Sequence, residues 1–279
     1  MLKDAETAFR REKVCVKAII PAGGIGTRIQ PFTLAVPKEL LPASRKPMIQ
    51  LAVEEALAAG IRDIGVVIRK DKEAIRNYFE ALMVASNPLW EDLREELSHA
   101  KLHFIYQKQP LGLGNAIHEA GTFIDDSSFV MIIPDQFVRS KVPATRQLLD
   151  AARKDFQAVW NSLVTVCEEE LGFFRGARRL ELTNRIENTW EVKGVREDLE
   201  YPNEETLLGF GRTFFPAGLI EFFSDRFLNP ATGEVDLFLS FEALIKEYRN
   251  YAVLLEGKAM DFGTWAGYEH FFRFLHGSV

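Results

Sequence analysis

The sequence predicts an α/β fold: a mixed, mostly parallel sheet covered by helices, with a smaller antiparallel portion toward the C-terminus. Three observations carry that expectation. Apolar strand-like runs alternate with helix-like stretches as far as residue 166, a rhythm that lays helices across parallel strands. The texture then changes to short alternating runs separated by Gly, Asn and Pro, as antiparallel strands require. Of the 279 residues, 47 % are hydrophobic, enough for a large core.

Each element has its own signal. Residues 14–20 form an apolar strand. Lys46-Pro47 opens a helix through Met48, Leu51, Ala52, Glu55 and Ala58, and Gly60 closes it. After a strand at 64–68, Asp71 is placed to cap a helix through Ile75, Tyr78, Phe79 and Leu82. Residues 88–99 form a charged amphipathic helix whose acidic run is a solvated face. A strand at 102–106, a short helix at 113–120 and a strand at 129–133, ending in Pro134-Asp135, come next. Pro143 opens a further helix, and 158–166 is a strand. In the second half, 173–182, 189–196 and 206–215 are strand-like, 216–226 and 236–249 helical, and 251–256 a strand before an aromatic helix. The Phe-rich stretches are expected to be core packing, with oligomer contacts as the alternative use of some of that apolar surface. No internal repeat, low-complexity stretch or linker interrupts the chain.

Charge and cysteines exclude several classes. A net charge of −6 argues against general nucleic-acid binding, so any phosphate-bearing ligand must meet a locally basic pocket. No run of eighteen uncharged apolar residues predicts a membrane span, and MLKDAETAFRREK lacks the apolar region of a signal peptide. Cys15 and Cys167, isolated among valines, are expected to be buried thiols in a reducing cytoplasm. His99 and His103 straddle a helix-to-strand junction and are expected to be surface imidazoles, not a metal pair.

The stretch IIPAGGIGTRIQPFTLAVPKELLP, residues 19–42, is the most informative. A G-x-G-x-x-G dinucleotide pattern fails because Ile29 stands where its third glycine belongs, and the Walker A lysine and spacing are absent. An ordinary tight turn accounts for Gly23 and Gly24 as suppliers of positive φ, but leaves Arg28 and Lys38 unused. A backbone cradle for a triphosphate uses all four: bare N–H groups approach phosphate oxygens, Arg28 forks onto them and Lys38 adds a point charge.

The stretch resembles the signature loop of nucleotidyltransferases that make nucleotide-sugars, above all the bacterial UTP–glucose-1-phosphate uridylyltransferases (UDP-glucose pyrophosphorylases) and, less closely, the glucose-1-phosphate thymidylyltransferases. KPMIQLAVEEALAAGIRDIGVVI (46–68), YQKQPLGLGNAI (106–117), IIPDQF (132–137), EVKGVRED (191–198), LGFGRTFF (208–215) and MDFGTWAGYEHF (260–271) follow in family order, so the resemblance covers most of residues 14–271. It implies a Rossmann-like sheet in a single nucleotidyltransferase domain over 12–279. The nucleotide-binding half is about 14–140, the antiparallel sugar-phosphate half about 156–263, and 1–11 a flexible N-terminus. It also implies a cytoplasmic homo-oligomer, dimer or tetramer, that takes UTP or dTTP and a sugar 1-phosphate such as glucose 1-phosphate, with Mg²⁺ as cofactor and neither nucleic acid nor membrane as partner.

The resemblance also assigns residues. Ala22, Gly23, Gly24, Gly26 and Thr27 cradle the nucleotide, with Arg28 and Lys38 catalytic. Gln107 and Gly112 take the base: a side-chain amide and a backbone N–H can match the O2, N3–H and O4 edge of uracil or thymine. Because an amide can rotate, cytosine is disfavoured by this reading and not excluded. Asp135, at the carboxyl edge of its strand, and Asp261 are the implied Mg²⁺ ligands. A phosphate nucleophile is already ionised, so no general base is needed. Gly172, Glu197 and Gly211 fall at the family's hexose site. There the sequence departs from the pattern: the family's Lys-Pro after the glutamate is Asp198-Leu199, and Arg175, Arg178, Arg179 or Lys193 would have to replace that cation. Two functions follow: an enzyme, favoured by the intact loop and aspartates, and a nucleotide or nucleotide-sugar binding protein that has lost turnover, favoured by Asp198.

Overall fold

The computed structural model of this chain describes residues 15–174, 177, 179–196 and 205–275. β1 (Val16–Pro21) lies between two parallel neighbours, β4 (Asp63–Ile68) and β6 (Ser128–Ile132), with β5 (Lys101–Tyr106) parallel to β4 at the edge. Ala18, Ile19 and Ile20 are fully buried, the condition of parallel strands covered on both faces. A two-strand hairpin, β2 (Pro42–Ala43) and β3 (Lys46–Pro47), leads into α1 (Met48–Ala58), and Gly60 follows with φ 91°.

Beyond β6 the sheet turns antiparallel. β11 (Glu205–Phe215) pairs with β6 and with β8 (Val159–Cys167); β12 (Asn250–Leu254) runs parallel to β8; and β10 (Thr189–Arg196) and β9 (Arg179–Ile186) complete the far edge. Among the described residues this is one nine-stranded sheet, ordered β5-β4-β1-β6-β11-β8-β12-β10-β9, as the sequence predicted in kind. A second, two-stranded antiparallel sheet was not anticipated: β7 (Gln136–Arg139) with β13 (Lys258–Asp261). Four residues are too few to show alternation, so only the paired structure reveals it.

Several expectations are corrected. Asp71 does not cap a helix; it pairs with the Arg69 guanidinium, and α2 (Glu73–Val84) starts after a 3₁₀ turn at Lys70–Lys72. A charged fork two residues away competes successfully with a backbone N–H for the carboxylate. The predicted strand at 173–182 starts later, because Glu168–Phe173 forms a 3₁₀ segment. The predicted helix at 216–226 is two 3₁₀ turns, Ile220–Phe223 and Asp225–Phe227, separated by an extended Ser224. The Ser224 N–H and hydroxyl both donate to the Glu221 carbonyl, closing the first turn before a helix can propagate. Cys15 is exposed just ahead of β1, and Cys167 is half-buried at the end of β8, where sheet cover runs out. His99 and His103 are exposed as expected. The Phe-rich segments contribute to the core: Phe241, on the helix Leu237–Glu247, and Phe271, on the C-terminal helix Trp265–Leu275, are buried. No helix among the described residues is long and apolar enough to cross a membrane.

Candidate active site

The glycine loop leaves the carboxyl end of β1 under a clamp. The Ala22 N–H donates to the Val67 carbonyl at 2.7 Å, and the Ala22 carbonyl accepts from Lys72 Nζ at 2.9 Å. Lys72 is itself buried against Glu39, at 2.7 Å. Of the loop glycines only Gly26 is left-handed, at φ 76°, which corrects the expectation that Gly23 and Gly24 supply positive φ. Gly23 answers to crowding instead: a Cβ there would collide with Gln107 Oε1, whereas one on Gly24 would meet nothing within 4 Å.

A 3₁₀ turn at Thr27–Ile29 leaves Arg28 exposed, and a second at Lys38–Leu40, after Pro37, turns Lys38 back across the loop. Its Nζ reaches Asp135 Oδ2 at 2.5 Å. Asp135 lies between β6 and β7, immediately ahead of Gln136. Asp261 stands opposite Gln136 in the β7–β13 register, and the Phe262 N–H donates to the Asp135 carbonyl at 2.7 Å. The unforeseen small sheet is therefore what joins two aspartates far apart in sequence. A Cβ added at Gly263 would lie 2.8 Å from Asp261 Oδ1, 3.2 Å from Asp135 Oδ2 and 3.6 Å from an Arg28 guanidinium nitrogen. Both carboxylates and the guanidinium converge on a space that a single carbon would fill.

The C-terminal helix fixes this convergence. Ile29, Leu41 and Met48 share an apolar cluster with Met260, Phe262 and Phe271. Trp265 Nε1 donates to the Gln30 carbonyl at 3.0 Å and the Tyr268 hydroxyl to the Pro42 carbonyl at 2.9 Å. Loop and aspartate strand thus pack as one body.

The electrostatics separate the two acids. Burial opposes ionisation of Asp135, but the ammonium of Lys38 and then Arg28 outweigh it and hold its pKa down. Burial likewise works against the charge of Lys38, and Asp135 and Glu39 overcome it to raise that pKa. Asp261 is less well compensated: burial, and then the negative charge of Asp135, push it up to about 6 against the N–H groups of Gln136 and Gly263 and the guanidinium of Arg28. Two converging buried carboxylates, one of them under-compensated, suit a divalent cation. Among the described residues no cluster of three or more acidic, His or Cys ligands exists. Mg²⁺ bound through one or two carboxylates plus phosphate and water oxygens needs none, so the donor set fits.

Gln107, buried just after β5, has a fixed amide. Its Nε2 donates to the Gly112 carbonyl at 3.1 Å and to Asn115 Oδ1 at 2.9 Å, which leaves Oε1 facing the glycine loop. The free rotation allowed for on sequence grounds is absent. Gly112, at φ 86°, opens the helix Gly112–Glu119, and a Cβ on Gly114 would come within 2.8 Å of the Val235 carbonyl.

The glycine loop, Arg28, Lys38, Gln107, Gly112 and both aspartates line one cavity of about 390 Å³. Ala22 does not line it and acts from behind. A second cavity of about 310 Å³ adjoins the first across Leu113, Ile133, Gln136 and Glu234, and Gly211 lies in its wall. Gly172 lines neither cavity; it sits in the 168–173 turn, where a Cβ would meet open space. Glu197, Asp198, Arg175 and Arg178 lie outside the described residues. Lys193 pairs with Glu191 at 2.9 Å, and Arg196 with Glu181 at 2.9 Å. Sequence reasoning missed Gln136, Glu39 and Asn115; the available signal was adjacency to Asp135, to Lys38 and to the Gly112–Gly114 turn.

Comparison with known proteins places the chain in a family. The nucleotidyl transferase family model matches residues 17–278. A UTP–glucose-1-phosphate uridylyltransferase of Bacillus subtilis (strain 168) is 34 % identical over 264 residues, 90 % of this chain and 88 % of that protein. A second such enzyme, from Staphylococcus saprophyticus, is 33 % identical over 264 residues, 90 % of this chain and 89 % of its own. Among solved structures, the apo form of a UDP-glucose pyrophosphorylase superposes with a TM-score of 0.79 at 25 % identity, covering 95 % of this chain and 99 % of that one.

Proposed function

Because the chain belongs to the nucleotidyl transferase family, we propose that it joins UTP, or dTTP, to a sugar 1-phosphate, with glucose 1-phosphate first in line, giving a nucleotide-sugar and pyrophosphate. One observation carries the reading: the loop, the two cations, the base-facing amide and both aspartates share a single cavity.

The roles follow from chemistry. Gln107 Oε1 accepts from the base N3–H. Gly112, first in its helix and so without an intrahelical acceptor, donates its N–H to a base carbonyl. Cytosine presents a lone pair at N3, which the fixed amide oxygen repels. The loop N–H groups and Arg28 bind the triphosphate, and Lys38 adds positive charge where it accumulates negative charge. Asp135 and Asp261 would hold Mg²⁺, which supplies charge neutralisation between two anionic substrates. The sugar phosphate attacks the α-phosphorus in line, from the side of the cavity bearing Gly211, and pyrophosphate leaves. The same proposal includes one domain over 12–279, a homo-oligomer and a cytoplasmic location; the family match over 17–278 supports the first.

The test is pyrophosphate release across UTP, dTTP and CTP with a panel of sugar 1-phosphates and Mg²⁺. Release with a uridine or thymidine triphosphate and at least one sugar is expected. Nucleotide binding without release across the whole panel would replace the enzyme with a binding protein.

A further inference from the structure

Gln136 stands directly after Asp135, is 7 % exposed and borders both cavities. Both ends of its amide are engaged. Nε2 donates to Asp261 Oδ2 at 2.8 Å, and Oε1 accepts the Gly211 N–H at 2.7 Å. Its own carbonyl accepts from Arg212 at 2.8 Å, and the same buried guanidinium holds the Ile133 carbonyl at 3.0 Å and is locked to Glu55 at 2.7 Å. The backbone is therefore anchored, and the side chain spans from one acidic group to one strand.

That span joins two groups with different partners. Asp261 receives N–H groups on both oxygens, from Gln136 and, at 2.7 Å, from Gly263, so its carboxylate plane is set while each oxygen keeps a lone pair. Gly211 has no room for a side chain, because a Cβ there would collide with Gln136 Oε1 and lie 2.6 Å from Ile133 Cβ. A shift at either end must be passed to the other or leave a buried donor unmade, at a cost comparable to a lost hydrogen bond.

We infer that Gln136 is a positioning residue that couples divalent-cation binding at Asp261 to sugar-phosphate binding beside Gly211. The inference rests on the proposed function. Coupling of this kind is reciprocal: whatever the cation adds to sugar affinity, the sugar adds to cation affinity. A residue that only braced the β7–β13 hairpin would affect ligands with and without a sugar alike.

The experiment compares calorimetric affinities for UDP-glucose and for UDP, each with and without Mg²⁺, in the wild type, Gln136→Leu and Gln136→Glu. The Leu variant loses both bonds; the Glu variant can still accept from Gly211 but cannot donate to Asp261. In the wild type Mg²⁺ should strengthen UDP-glucose more than UDP, by an extra factor of about ten, as expected for hydrogen bonds to a charged group. In both variants that extra factor should vanish, with UDP affinity held within about twofold. An extra factor that persists in either correctly folded variant, judged by circular dichroism and thermal midpoint, overturns the inference, as does an equal change for both ligands. A wild type that binds neither UDP nor UDP-glucose overturns the proposed function, and this inference with it; normal binding with unchanged variants overturns this inference alone.

Discussion

The two cavities that meet at Gln136 are built by different rules. The larger is walled by backbone, by two cations and by acids that include Asp135 and Asp261, much of it from the continuous stretch 21–39. The smaller is walled mostly by apolar side chains, among them Met131, Leu180, Val195, Phe210, Leu237 and Phe241, drawn from five separate elements. Its polar residues are largely spent on the fold. Ser162 Oγ donates to the Phe210 and Arg212 carbonyls at 3.0 and 2.7 Å, and Asp236 accepts the Phe238 N–H at 2.8 Å as a helix cap. Binding phosphates demands N–H groups and charges at set spacing, which a short contiguous motif can deliver. An apolar cavity demands only shape, which any suitable set of strands can enclose.

The sharpest way to break this contrast is Asp135→Asn, which removes one of the larger cavity's two aspartates. Pyrophosphate release should fall by about 10³-fold, on the scale of removing a preorganised charge-stabilising group, with the circular dichroism spectrum preserved. Unchanged turnover would take Asp135 out of the mechanism. Next comes Gly211→Ala, aimed at the smaller cavity. Overpacking against Gln136 and Ile133 should raise the KM for the sugar phosphate about tenfold, with a smaller rise for UTP passed on through Gln136. If both constants rise equally, the two cavities do not act as distinct sites.

A smaller effect sharpens the base pocket. Asn115→Leu removes one of the two acceptors holding the Gln107 amide, so the preference for UTP over CTP, measured as a ratio of kcat/KM, should drop roughly fivefold. An unchanged ratio would mean that the Gly112 carbonyl fixes the amide unaided. The mildest effect is on stability. Burial raises the Glu55 pKa, but Arg212 and Thr145 outweigh it, so the folded value lies below the ordinary 4.5. Stability from this depressed carboxylate is fully present above the unfolded pKa and is lost as pH falls through the folded one. The gap in urea midpoint between wild type and Glu55→Gln should therefore narrow as the pH falls below the ordinary value of 4.5. A constant gap would show that Glu55 keeps the same pKa in both states.

How much was legible differs along the chain for physical reasons. The parallel strands announce themselves because burial on both faces forces continuous apolar runs such as VKAII and DIGVVI. The loop was legible because Gly26, Arg28 and Lys38 act through local spacing. The β7–β13 pair was not, since each strand has four residues and is specified by its partner, not by its own pattern. The turns at 220–227 misled for a related reason: apolar residues at helical spacing say nothing about Ser224 folding back on Glu221.

By itself, the sequence determined the α/β class, the parallel half and the identity of the loop residues that gather in the larger cavity, because periodicity and turn chemistry act within a few residues. Tertiary structure alone decided that Asp261 stands beside Asp135, that the Gln107 amide cannot turn, and that Gln136 bridges two cavities. Each of those facts is a pairing across many residues of chain, set by strand register and by packing against the C-terminal helix, and no local pattern encodes such a meeting.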